Sequence, residues 1–225
     1  MIAPNPTAPG RCALALATSA LLVGPASASV APGWDRPTTP ADAAAAGTSY
    51  TAWDVFTGTT ELAPDVAEVN AAGSARLSET TGEAFATGSG NIYSFSAATA
   101  FDIALPATAT PGGVTDFQLQ LRTLGTALDL GSVMLDGVAA SSLAGFSYAE
   151  TGRLPLGGFG GDRVDHLFRF TGPAGGDATL RFAAAGSSMS LDRVWIDTRV
   201  RAVPEPGPAA LALAGVGLLA RRRGA

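Results

Sequence analysis

From Tyr50 onward this chain is written in short runs of Val, Ile, Phe, Tyr and Thr separated by Gly, Pro, Asn and Asp, and no segment there carries a helical period. That texture constrains the fold most, because it is the pattern of strands and turns. The clearest run is "TDFQLQLRTLG": Phe117, Leu119 and Leu121 alternate with Asp116, Gln118, Gln120 and Arg122. One face is apolar and the other wet, as in a strand of an antiparallel sheet with one solvated side. Shorter runs of the same kind are "TAWDVFT", "NIYSFS", "FDIALP", "SVMLDGVAA", "GFSYAET", "VDHLFRF", "ATLRFAA" and "LDRVWIDTRV". Asp136-Gly137 is the dipeptide that a type I′ hairpin turn prefers, since both central residues need positive φ. "TGPAGGDA" is a looser turn between two further strands. About nine to eleven strands, without the crossover helices a parallel sheet needs, predict an all-β protein: a single antiparallel β-sandwich, jelly-roll-like.

The two ends are written differently. Arg11 and Cys12 precede an apolar stretch, Ala13 to Val23, followed by Pro25 and the small residues Ala26-Ser27-Ala28. This is the order of a secretory signal peptide, with Ala26 and Ala28 at the cleavage site, so residues 1–28 are expected to be removed. The only cysteine is Cys12, so the mature chain would hold neither thiol nor disulfide. Residues 29–49, with Pro32, Pro37, Pro40 and the run "ADAAAAG", read as a flexible lead-in that also carries Trp34. Residues 50–202 form the β domain, long enough for one core of its own.

Charge narrows the partners. Taking Arg11, Arg221, Arg222, Arg223 and Glu205 from the 14 basic and 19 acidic residues leaves 10 and 18, a net charge of about -8. There is no lysine, and the remaining arginines are scattered. Nucleic acid is not an expected partner, since nothing here forms a basic footprint.

Few residues carry recognisable chemistry. "GGFGGDRVD", Gly157 to Asp165, fits the calcium-binding nonapeptide, with Asp162 at the acidic position, but such repeats bind calcium between successive coils and this is one copy. The plain expectation is a glycine-rich loop between strands, with no cofactor and calcium at Asp162 as the alternative. His166, the only histidine, shares a strand face with Val164, Phe168 and Phe170 and is expected to be packed or at a rim. One histidine without cysteine does not make a conventional zinc site. Ser147 in "GFSYA" lacks the second glycine of a nucleophile elbow. A glycosidase needs only two carboxylates at a suitable separation, and Asp54, Asp102, Glu150, Asp192 and Asp197 are candidates, each with an ordinary role at a strand end or on a wet face. Trp53, Tyr93, Tyr148 and Trp195 are candidates for stacking on sugar rings, against the ordinary reading of core or rim packing.

The tail, residues 203–225, reads "VPEPGPAALALAGVGLLARRRGA". Its apolar run, Pro208 to Ala220, has 13 residues, against roughly 20 for a bilayer-spanning helix. The arginines resist translocation, so such a tail can halt export with the domain already outside. Val203-Pro204-Glu205-Pro206, then the apolar run as a short transmembrane segment, then Arg221, Arg222 and Arg223, resemble the PEP-CTERM sorting signal of Gram-negative bacterial surface proteins. The resemblance covers only some 20 residues and implies an exosortase-type membrane enzyme as partner, with processing near Pro204-Glu205-Pro206. It also implies transient inner-membrane association and an association with extracellular polysaccharide. "SLDRVWIDT", Ser190 to Thr198, resembles the last strand of jelly-roll, galactose-binding-like domains. The expected function is that of an exported, non-enzymatic protein of the cell surface or extracellular matrix. The alternatives are a carbohydrate-binding module for exopolysaccharide and, behind it, a glycosidase or polysaccharide lyase.

Overall fold

A computed structural model describes residues 48–69, 75–106, 113–173 and 175–202. The predicted signal peptide with Ala26 and Ala28, most of the lead-in, and the predicted sorting signal with Val203, Pro204, Glu205, Pro206, Arg221, Arg222 and Arg223 lie outside the described residues. Among those described, no helix is long and apolar enough to cross a membrane.

The described residues are all-β, and every pairing between their strands is antiparallel. In chain order the strands are β1 (Thr48–Trp53), β2 (Val66–Val69), β3 (Arg76–Glu79), β4 (Phe85–Ala86), β5 (Ile92–Tyr93), β6 (Ala100–Leu105) and β7 (Gly113–Gly125). They continue as β8 (Leu128–Leu135), β9 (Val138–Ala139), β10 (Ala144–Pro155), β11 (Asp162–Pro173), β12 (Ala178–Ala184) and β13 (Met189–Ala202). Two single turns of 3-10 helix, Ala140–Ser142 and Gly157–Phe159, are the other elements among the described residues. There are more strands than the runs suggested, because β2, β3 and β4 have only four, four and two residues, too short to show a period.

The strands form two sheets. The larger runs β10-β11-β7-β13-β1-β2, with β5 paired to β13 and β4 to β5; the smaller runs β3-β6-β12-β8-β9. Residues of both build one hydrophobic cluster, including Trp53, Leu119, Leu121, Phe168, Val194 and Ile196 from the larger and Leu77, Phe101, Ile103, Leu135, Leu180 and Phe182 from the smaller. Burying each such side chain contributes about 1.5–3 kcal/mol. Two aromatic pairs stack inside, Phe101 on Phe182 at 5.1 Å and Phe117 on Phe170 at 5.5 Å between centroids. The Asp136-Gly137 turn joins β8 to β9 with both residues at positive φ, 51° and 78°. The looser turn after β11 carries the chain from the larger sheet to β12 in the smaller.

β7 keeps the predicted alternation, but its second face is not simply wet. Gln118 is completely buried, held between Asp197 Oδ2 at 3.4 Å and Arg169 Nε at 3.3 Å. Thr171 Oγ1 donates to Asp116 at 2.8 Å, and Arg201 Nη2 donates to the same carboxylate at 2.7 Å. Cross-strand polar pairs thus cover the outer face of the sheet. Burial pushes the Asp116 carboxyl up, but the bonds from Arg201 and Thr171 outweigh it and hold the group below its ordinary value.

A bulge in β13 re-aims its side chains. Pairing with β7 slips between Leu191 and Arg193, so Met189 and Leu191 are buried before the slip and Val194 and Ile196 after it. One extra residue, Asp192, switches the strand's phase, as bulges do.

Candidate functional site

The sequence "NIYSFS" places Tyr93 and Phe95 two apart. In the structure β4 and β5 form a small hairpin in which Phe85 stands opposite Tyr93 and Ala86 opposite Ile92. Its turn is closed by Thr87 N–H to Asn91 O at 2.8 Å and Gly90 N–H to Thr87 O at 3.0 Å. Ile92 is fully buried and anchors the hairpin. Its register with Leu191, and that of Tyr93 with Ser190, attach it to β13. Phe95 follows buried Ser94, whose carbonyl accepts the Ser188 N–H at 2.9 Å.

The three rings make a braced cluster. Phe95 stacks on Phe85 at 5.7 Å and meets Tyr93 edge-on at 4.7 Å; Phe85 and Tyr93 are edge-on at 6.1 Å. Phe95 is nevertheless 73% exposed, and Phe85 is exposed as well. Tyr93 and Phe95 line an open groove of about 870 Å³, together with Leu124, Leu156 and the hydroxyl residues Ser89, Thr126, Ser188 and Ser190. Among the described residues, no charged side chain lines it.

The floor of the groove is backbone at close quarters. A Cβ on Gly125 would lie 2.4 Å from Ser188 O, and one on Gly161 would lie 2.4 Å from Gly125 O. Both glycines have positive φ, 84° and 73°, a conformation side chains resist. Thr126 secures the rim through its hydroxyl, donated to Ser187 O at 2.6 Å.

Gly125 and Gly161 also line a smaller pocket of about 180 Å³, whose other walls include Leu128 and Leu130 of β8, Tyr148, Glu150 and Arg153 of β10, and Asp162, Val164 and His166 of β11. A bulge assembles these groups: pairing of β10 with β11 slips between Glu150 and Gly152. Glu150 and Arg153 therefore stand opposite His166 and Val164 on one face. Arg153 donates to Glu150 from Nε at 2.9 Å and from Nη2 at 2.6 Å, and from Nη1 to Asp162. Those bonds hold Glu150 below its ordinary value and raise the Arg153 guanidinium further.

His166 is only 4% exposed. Its Nδ1 lies 3.0 Å from the Tyr148 hydroxyl and its Nε2 lies 3.0 Å from Thr123 Oγ1. Burial lowers the imidazole to about 4, so it is neutral at neutral pH. Burial, with the Glu150 charge nearby, pushes the Tyr148 phenol up to about 12. With both ring nitrogens engaged and both groups neutral, the network positions β10 against β11.

Of the four aromatics expected to face a glycan, only Tyr93 lines the groove. Trp53 is corrected to a core residue: it is 1% exposed and its indole N–H is given to Leu62 O at 3.1 Å. Trp195 is half-buried on the outer face, where its N–H goes to Asp54 Oδ1 at 2.6 Å and the Arg193 guanidinium covers the ring at 4.6 Å. Tyr148 lines the small pocket instead, with its ring against Phe168 at 4.9 Å. Phe85 and Phe95 were missed, although the Tyr93–Phe95 spacing put two rings on one side of the chain.

The carboxylate candidates are occupied. Asp54 holds Trp195 and lies 2.9 Å from Arg193 Nε. Asp102 takes two bonds from Arg181, at 2.7 and 2.6 Å. Asp192 lies 4.0 Å from Arg122, and Asp197 is buried beside Gln118. Asp162 is bound by Arg153, and among the described residues no group of three or more His, Cys, Asp or Glu is placed to hold a metal ion. Ser147 stands exposed on β10.

Comparison with protein-family models, with curated protein sequences and with solved structures finds no match for this chain.

Proposed function

We propose that this chain is an exported, non-enzymatic protein of the cell surface or extracellular matrix, and that its β domain acts there as a carbohydrate-binding module. One observation carries the reading: a braced aromatic cluster, Phe85, Tyr93 and Phe95, stands open at a groove otherwise lined by hydroxyls, glycine backbone and two leucines. A sugar ring has an apolar face and a rim of hydroxyls, and this lining offers a partner to each. The rings are held by one another and by the hairpin, so little freedom is lost on binding. Two sheets sharing one core support the finer reading of a jelly-roll-like β-sandwich that presents the groove at one end.

The ends of the chain supply the address. Residues 1–28 direct export, and Val203-Pro204-Glu205-Pro206 with Arg221, Arg222 and Arg223 direct the chain to an exosortase-type enzyme, which releases the domain beside the polysaccharide. The groove is tested by titrating the full chain with polysaccharide from the producing cells, as wild type and as Tyr93→Ala and Phe95→Ala. Saturable binding that both substitutions weaken at least about tenfold supports the reading. Binding indifferent to both rings contradicts it.

A further inference from the structure

Among the described residues the groove has no charge in its lining, but one stands beside it. Arg163, in the "GGDRVD" stretch, pairs in register with Leu124 of β7 and Leu154 of β10. Alternation along β11 puts Arg163 on the same face as Asp165, which accepts from Arg122 at 2.5 Å, and opposite to buried Val164 and His166. Leu124, its neighbour on that face, is itself a wall of the groove.

The surrounding cations are already matched. Arg122 is held by Asp165, Arg193 by Asp54, and Arg153 by Glu150 and Asp162 through all three of its nitrogens. The Arg163 side chain forms no hydrogen bond or ion pair with a described residue, and the residue is half-buried. A guanidinium without a carboxylate partner is a site for an anion, because its planar fork matches a carboxylate in two parallel bonds.

Resting on the carbohydrate-binding reading, we propose that the ligand is an acidic polysaccharide, with sugar rings stacked at Tyr93 and Phe95 and a uronate carboxylate taken by Arg163. Arg163 is then the specificity-determining residue of the groove. The domain's net negative charge slows the approach of such a polymer, so the contact at Arg163 has to be made at short range.

The test titrates the full chain with oligomers of galacturonate, glucuronate, mannuronate and guluronate, each beside its carboxyl-reduced, uncharged counterpart. At least one uronate is expected to bind more tightly than its reduced form. Arg163→Gln should weaken that uronate about 10- to 100-fold, the loss of one charge-assisted pair, and leave the reduced form unchanged. Arg163→Lys should restore part of the loss. Phe95→Ala should weaken both forms. Reduced oligomers binding as well as uronates, or uronate binding indifferent to Arg163→Gln, overturns the acidic ligand and leaves the groove standing. Failure of every oligomer to bind overturns both.

Discussion

The protein uses phenylalanine in two opposite ways. Phe101 and Phe182, 5.1 Å apart, are completely buried between strands of the smaller sheet. Phe85 and Phe95, 5.7 Å apart and also stacked, stand in the open beside Tyr93. The first pair removes apolar surface from water and so stabilises the fold. The second leaves its surface wet, contributes little to folding, and keeps a rigid apolar platform available to something else. In the proposed reading, the exposed aromatics grouped at this short, anchored hairpin are the place for a partner.

The largest effect should come from the buried pair. Phe182→Ala is expected to cost about 3–5 kcal/mol of stability, measured by urea unfolding. A loss below about 1 kcal/mol would show that the two pairs do not differ as described.

His166 gives the next largest effect and ties the pocket to pH. Its value of about 4 in the folded chain lies below the ordinary 6.5, so between those values the unfolded chain takes up a proton that the folded chain refuses. Stability should be complete above about pH 6.5 and fall toward about pH 4, by at most roughly 3 kcal/mol. His166→Gln should flatten that slope in urea midpoints measured from pH 4 to 7. A slope unchanged in the variant would place the titration elsewhere. Asp116 titrates below its ordinary carboxylate value and falls outside this window.

Gly125→Ala probes the groove's floor. The added methyl would meet Ser188 O at 2.4 Å in a backbone with φ of 84°, and about 2 kcal/mol of destabilisation is expected from strain of this kind. Near-UV circular dichroism should report the displaced rings of the neighbouring hairpin. An unperturbed spectrum with unchanged stability would show that the floor yields freely.

Much of this was legible in the chain and some was not, for physical reasons. β7 announced itself because seven residues, Asp116 to Arg122, repeat one alternation, and Asp136-Gly137 announced its turn because few residues accept two positive φ values. His166 could be placed on a packed face from the phase of "VDHLFRF" alone. The charged pocket could not be read, because the bulge before Gly152 puts Glu150 and Arg153, three apart, on one face, which strict alternation forbids. The bulge in β13 likewise hid the surroundings of Trp195: beyond it the ring lies on the outer face, beneath Arg193 and bonded to Asp54. Trp53 misled through its type, since tryptophan suits both core and platform and only tertiary contacts decide. Phe85 and Phe95 meet because β4 and β5 pair over two residues, a ladder too short to leave a pattern.

The smallest effect on folding should accompany the largest effect on binding, and Phe95→Ala tests that directly. Urea unfolding and polysaccharide titration would be run on the same preparations of wild type and variant. The account predicts a stability change of about 0.5 kcal/mol or less with affinity reduced at least about tenfold. A variant that loses several kcal/mol, or one that binds as the wild type does, would contradict it.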